Sequence, residues 1–279
     1  MSTTTKRYPR FDKAQRIEHA FMLLSFTMLS ITGLPQKYPD TDWGQWIIWL
    51  MGGIESNRLI HRAAAVILIV GSIYHLFSVG YRLLVRRVQM SMLPGLKDVV
   101  DAIQTLGYNF GLIKNPPKMG RYTFGEKVEY WAVIWGTVIM ILTGFMLWNP
   151  IATTWLFPGE FIPAAKAAHG GEALLAVLSI VTWHFYNVHV KSFNKSMFSG
   201  SLSHHEMEEE HPLELAARET TQVKPIEPAV LRQRQRVYLP AAVIFSLVLL
   251  VSVYFFVTFE ATAITTVPRQ TVEIFVPAR

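Results

Sequence analysis

Apolar residues along this chain gather into long unbroken runs rather than alternating stripes. Five stretches lack Asp, Glu, Lys and Arg over about the length of a bilayer crossing: Ala20–Gln36, Ala63–Tyr81, Tyr130–Gly159, Ala173–Val190 and Val237–Phe259. Each predicts a transmembrane helix, and the fourth begins earlier, near Lys166, tolerating Glu172. A cleaved leader fits the first run poorly. It follows a long polar lead, no small-residue cleavage site closes it, and Gly33-Leu34-Pro35 reads as a helix exit. Between the runs, the Trp-rich segment Trp43–Ile54 is too short to cross and predicts an interfacial element. Leu96–Leu106 has the apolar spacing of a surface helix. Residues 200–236 are polar, with the acidic run Glu206–Glu210 and prolines 225 and 228, and read as an extended or partly disordered linker. Thr271–Val276 has strand character but needs an outside partner to be stable.

Composition agrees with the pattern: 51% of residues are hydrophobic and 16% charged, against about 25% charged in soluble domains. The net charge of +6 does not point to nucleic acid, because the basic residues flank the spans. Lys6, Arg7, Arg10, Lys13 and Arg16 precede the first, and seven more, from Arg82 to Arg121, lie between the second and third. Lys191 and Lys195 follow the fourth, and Arg232, Arg234 and Arg236 precede the fifth. The other two loops are poor in basic residues, so the N-terminus is expected in the cytoplasm of a bacterial-type inner membrane and the C-terminus outside. The absence of cysteine excludes covalent c-type haem, cysteine-ligated iron–sulfur clusters and disulfides within this chain.

Histidine is the chemistry that remains. Of nine histidines, six lie in or at the ends of spans: His19, His61, His75, His169, His184 and His189. Histidine in a span is costly and points to function. His61 and His75 are 14 residues apart, about 21 Å along a helix and nearly on one face. His169 and His184 are 15 apart, about 22 Å and about 60° round the helix. The second and fourth spans run in the same direction. His61 and His169 therefore share one depth and His75 and His184 another, which predicts two stacked bis-histidine sites for haem iron. Small residues at Ala63–Ala65, Gly71, Gly170, Gly171 and Ala173 leave room for a porphyrin, although close helix packing would use them equally well. A weak internal repeat runs through the same region. Arg16-Ile-Glu-His19 parallels Lys127-Val-Glu-Tyr130, Thr32-Gly33 parallels Thr143-Gly144, and His61 and His75 parallel His169 and His184. The first four spans thus read as two related hairpins.

Over about residues 10–215 the chain resembles the cytochrome b subunit of membrane formate dehydrogenases and, more distantly, the b-type subunits of nickel–iron hydrogenases. The resemblance is carried by Arg16–His19, Thr32-Gly33, Leu59–His61, Gly120–Lys127, Ala168-His169, Trp183–Tyr186, Lys191–Gly200 and His211-Pro212. It implies an outer haem held by His61 and His169 and an inner haem held by His19 and His184. It also implies a quinone, menaquinone or ubiquinone, beside the inner haem, near Thr123, Gly125 and Glu126. Spacing alone pairs His184 with His75, whereas the resemblance pairs it with His19. His75 and His189 stand outside the family pattern. They would serve a third haem, or bond a propionate, a quinone or another helix. Thr123 and Glu126 also read as a helix-capping box.

The expected fold is all-α integral membrane. It has a cytoplasmic N-terminus (1–16), a four-helix transmembrane haem-binding bundle (17–199), the polar linker (200–236), a fifth C-terminal transmembrane helix (237–259) and an extracytoplasmic tail (260–279). The expected role is electron transfer between an extracytoplasmic partner and the quinone pool through two b-type haems. An iron–sulfur or multihaem cytochrome subunit and a catalytic subunit would complete the complex. The sequence shows no cluster motif or nucleotide fingerprint, so the chain is not expected to be a complete enzyme. Two rival readings are a histidine-relay transporter or proton channel and a haem-free membrane anchor.

Overall fold

The computed structural model describes residues 6–220 and 226–259, so the tail with its expected strand at Thr271–Val276 lies outside the described residues. Five helices are long and apolar enough to cross a membrane. They are α1 (Lys13–Lys37), α3 (Ile54–Gly80, continued as a π-helical turn to Val85), α5 (Phe124–Trp148), α7 (Phe161–Ser179, continued in π-helical form to Lys191) and α11 (Pro228–Thr258). Short helices α2 (Asp42–Leu50), α4 (Leu96–Asn109) and α6 (Pro150–Leu156) lie between them. Strands β1 (Arg7–Pro9) and β2 (Ser201–Ser203) and helices α8 (Ser196–Ser199), α9 (His204–Glu210) and α10 (Pro212–Thr220) complete the described chain.

Local chemistry sets the boundaries. Asp12 caps α1 in a reciprocal box with Gln15, and Thr123 caps α5 in the same way with Glu126. Gly52 and Gly53 take φ of +85° and +99°, the left-handed values that let the chain reverse from α2 into α3. The apolar run from Tyr130 to Gly159 is not one helix: α5 stops at Trp148, and Pro150 starts α6. Proline has no N–H for the preceding helix but suits a first turn.

α1 packs chiefly on α3, α5 chiefly on α7, and α1 also meets α7, so the first four spans form two hairpins placed side by side. Helix α11 straps both. At the end of the bundle where α1 begins, called here the near end, Tyr238 Oη donates to Phe77 O (2.6 Å) and Gln235 Nε2 to Tyr81 Oη (2.8 Å). At the far end, Phe256 lies 4.1 Å from the Phe145 ring. Most apolar side chains on the spans remain exposed in the isolated chain, as expected of surfaces that face lipid.

Residues 201–220 differ from the extended linker expected of their composition. Ser203 and Glu206 form a capping box that starts α9. β2 pairs antiparallel with β1, and Tyr8, Leu202, Met207 and Leu215 bury one another. The segment folds because the N-terminal strand supplies the apolar partner it lacks alone. Together they make a cap over the near end.

Candidate functional site

The histidines of the spans meet in pairs. At the far end, the rings of His61 on α3 and His169 on α7 lie with centroids 6.4 Å apart. Thr32 Oγ1 sits 2.9 Å from His61 Nδ1 and gives its own proton to Met28 O at 2.7 Å. A hydroxyl has one proton, so Thr32 must accept from His61, which fixes the Nδ1–H tautomer. The second hairpin repeats the device. Thr143 Oγ1 lies 2.9 Å from His169 Nδ1 and donates to Ile139 O at 2.6 Å. Both imidazoles thus keep the Nε2 lone pair for a metal. The glycine after each threonine makes room: a Cβ on Gly33 would lie 3.0 Å from His61 Cε1, and one on Gly144 3.3 Å from His169 Cε1. Asn57 Nδ2 donates to Thr32 O (2.9 Å), holding α3 to α1 at this level.

At the near end, the rings of His19 on α1 and His184 on α7 are also 6.4 Å apart. Glu129 Oε2 accepts from His184 Nδ1 at 2.8 Å, again leaving Nε2 free. His184 belongs to the π-helical stretch Ile180–His184, a local widening often found at functional sites. His75, which spacing alone matched with His184, is placed elsewhere. Its Nδ1 lies 2.7 Å from Glu18 Oε2 and its Nε2 3.0 Å from Tyr130 Oη, so both ring nitrogens are engaged. His189 lies between the rings of Phe185 and Phe193, with centroids 4.9 Å and 5.9 Å away. The structure therefore does not bring His75 and His189 together as a pair.

The loop entering α5 is held from three sides. Arg10 is buried, pairs with Glu126 Oε1 (2.9 Å) and donates to Arg121 O. His211 Nδ1 donates to Gly120 O (2.9 Å), and Arg121 pairs with Glu214 (3.3 Å). Burial raises the Glu214 carboxyl, but its bonds to Arg218 and the charge of Arg121 outweigh that and leave it below the ordinary carboxylate value. Burial, and then the Arg10 charge, hold His211 below the usual imidazole value and so in its neutral form. Thr123 and Glu126, expected near a quinone, are occupied in capping: Thr123 N donates to Glu126 Oε2 (2.8 Å) and Glu126 N to Thr123 Oγ1 (3.1 Å). Gly125 faces α7, where its Cβ would lie 3.6 Å from Trp183 Cζ2, next to His184. Arg10 and Glu214 lie in no motif that could have singled them out, and Arg121 lies in the Gly120–Lys127 motif without a sign of what it bonds. The repeat did mark Thr32, Thr143, Glu18 and Glu129, but not what they bond.

Both histidine pairs pass a geometric test for haem. Imidazole–metal bonds of about 2 Å on each side, plus about 1.1 Å from Nε2 to each ring centre, would put bis-imidazole centroids roughly 6.2 Å apart. Both pairs stand at 6.4 Å, whereas His75 and Tyr130, in direct hydrogen bond, stand at 5.8 Å.

The family model described as prokaryotic cytochrome b561 matches residues 10–200. The chain belongs to that family. It is therefore a helical membrane cytochrome b that binds b-type haem, of the formate dehydrogenase type, as the sequence motifs implied. Among curated relatives, the formate dehydrogenase cytochrome b556(fdo) subunit of Escherichia coli K12 is 22% identical over 206 residues, covering 73% of this chain and 89% of the relative. The nitrate-inducible formate dehydrogenase cytochrome b556(Fdn) subunit of the same organism is 20% identical over 208 residues, 75% of this chain and 90% of the relative. The formate dehydrogenase cytochrome b556 subunit of Haemophilus influenzae is 20% identical over 206 residues, 74% and 81%. The family match ends before α11, which has no counterpart within it.

Proposed function

We propose that this cytochrome b561 member carries two b-type haems, the far one between His61 and His169 and the near one between His19 and His184. It would link a redox partner outside the cytoplasm to the membrane quinone. The carrying observation is the pair of equal ring spacings, 6.4 Å at each level, with Nδ1 of His61, His169 and His184 bonded so that Nε2 is left for a metal. When bound, the haems supply one-electron transfer across the bilayer. The protein's own work is to fix tautomers and positions: Thr32 and Thr143 at the far level, Glu129 at the near level. Lys37, whose Nζ would lie 3.0 Å from a Cβ on Gly170, and Arg62, which stacks 4.7 Å over Trp148, supply cations for the far haem's propionates.

The near end is assigned to the cytoplasm, following the basic flanks, and the far end to the outside. The four-helix unit 17–199 is the haem domain. α11 and the residues after it are assigned to holding an extracytoplasmic subunit. The relatives are subunits of formate dehydrogenases. That supports a respiratory complex with catalytic and iron–sulfur or multihaem partners here. The quinone, menaquinone or ubiquinone, is placed beside the near haem, where Gly125, Trp183 and His184 converge and the Thr123–Glu126 cap shapes the wall. The test is to reduce the purified complex in nanodiscs and add a short-chain naphthoquinone or benzoquinone. Reoxidation of b-type absorbance is expected. Haems that stay reduced with both quinones would refute the quinone reading.

A further inference from the structure

The repeat that relates the two hairpins gives the near haem site a counterpart. Glu129, His184 and His19 make up one; exchanging the hairpins turns these into Glu18, His75 and Tyr130. The carboxylate-to-histidine bond survives the exchange, at 2.8 Å on one side and 2.7 Å on the other. The third position does not, because tyrosine stands where histidine would. A phenol reaches further than an imidazole and here presents its O–H proton to His75. It closes onto His75 Nε2 at 3.0 Å, which leaves no space for a metal between them.

What results is an unbroken hydrogen-bonded line. Glu18 accepts His75 Nδ1–H, so His75 Nε2 accepts from Tyr130 Oη–H. Ser78 Oγ donates to the other Glu18 oxygen at 2.8 Å. Ser78 also lines a cleft of about 360 Å³ between α3 and α11, whose walls include Asp12, Arg82 and Tyr238 at the near end. At the other end of the line, Tyr130 stands four residues after Glu126, on the same face of α5 and one turn deeper. It is also the next residue after Glu129, the partner of His184. The line thus runs from the near-end cleft to Tyr130 on α5, next in sequence to the partner of His184.

We propose that Tyr130 and His75 are the proton-transfer residues of the quinone site, Tyr130 exchanging a proton with a quinone oxygen and His75 resupplying it. This rests on the quinone reading above. Reduction takes two electrons, from the near haem of that reading, and two protons, and the line serves once for each proton. In the line as observed Nε2 carries no proton, so a proton delivered through water at the near end first bonds to His75 Nε2 while the Tyr130 O–H turns from His75 to the quinone oxygen. The Tyr130 O–H bond then breaks as its proton bonds to the quinone oxygen, and the Nε2 proton passes to the Tyr130 oxygen, which returns His75 to the neutral form. Glu18 stays a carboxylate throughout and positions His75 through its 2.7 Å contact with Nδ1. The other groups around the line are Ser78, Tyr122 and the Arg82–Asp12 pair (3.3 Å). Quinol oxidation runs the same steps in reverse.

The experiment uses the complete complex with a short-chain naphthoquinone and the variants Tyr130→Phe and His75→Ala. Both are expected to keep the two-haem spectrum of the parent. Quinone-driven reoxidation is expected to fall about 100-fold or more, the lower side of what a positioned acid or base contributes. Added imidazole is expected to restore rate to His75→Ala but not to Tyr130→Phe, which a merely structural hydrogen bond would not produce. Parent-like rates in Tyr130→Phe, loss of a haem from His75→Ala, or no rescue by imidazole would overturn the proposal. If the parent complex itself does not react with quinone, the quinone reading fails and the proton line falls with it. If the parent reacts and the variants match it, only the proton line falls.

Discussion

Replacing Thr32 with valine removes one oxygen and almost no volume. In the protein that oxygen accepts His61 Nδ1–H at 2.9 Å while bonding Met28 O, and Thr32 is fully buried. Thr32→Val removes the side-chain acceptor of Nδ1–H and leaves it only the Leu29 backbone carbonyl, in a place water does not reach. Loss of a buried donor's partner costs about 1–3 kcal/mol. The ring then escapes the penalty by shifting its proton to Nε2 or by turning, and both moves take the lone pair away from iron. The whole penalty therefore falls on haem affinity, a loss of about 5- to 150-fold. Loss of an outer-shell partner of a metal-bound histidine costs about 10- to 100-fold, an independent figure within that span. The assay is titration of haemin into the haem-depleted chain in nanodiscs, following two binding phases. Thr32→Val is expected to weaken one phase by that factor and leave the other unchanged. Thr143→Val is expected to weaken the same phase, since it holds the opposite ligand of the same site. Equal weakening of both phases, or of neither, would refute the tautomer argument.

Two further outcomes follow from close approach and from burial. Gly33→Ala sets a methyl 3.0 Å from His61 Cε1, closer than such contacts ordinarily come, while Gly144→Ala sets one 3.3 Å from His169 Cε1. Gly33→Ala is expected to perturb the far-haem signal in low-temperature spectra more than Gly144→Ala does, and the reverse order would count against the placement. His211 is held neutral at neutral pH, below its ordinary value of 6.5. When the cap opens, the ring recovers that ordinary value and binds a proton more readily than it does in the folded state. Cap stability is therefore full above about pH 6.5 and falls as pH drops below it. Proteolysis within residues 201–220 is expected to quicken between about pH 7.5 and about pH 5.5, and less so in His211→Gln, where the titrating ring is gone. An equal response in both proteins would remove His211 as the cause.

Much of the architecture is legible from charge alone, because a lipid environment forbids unpaired charge over a span's length. The five spans carry that constraint openly. Tyr130–Gly159 reads as one run because charge is blind to Asn149-Pro150, a break made by backbone chemistry instead. The polar stretch 200–236 reads as extended or partly disordered because the apolar partner of its folded part, Tyr8, lies nearly two hundred residues earlier. Helix rise places His61 level with His169 and His184 near the other end, so depth was readable. Which helix faces which was not. His75 and His19 approach the near level from different helices, and only the rotation of α1 and α3 decides which of them meets His184. Thr32 and Thr143 were visible as a repeat, yet their task depends on a histidine more than twenty residues away across a helix contact.

The most direct test of the account is a haem count by ligand variant. The intact chain is predicted to hold two b-type haems, as read from pyridine haemochrome per chain and reduced-minus-oxidised spectra. His61→Ala and His169→Ala are predicted to lose the same one, His19→Ala and His184→Ala the other, and His75→Ala neither. A single haem in the intact chain, or loss of a haem from His75→Ala with His19→Ala silent, would contradict it.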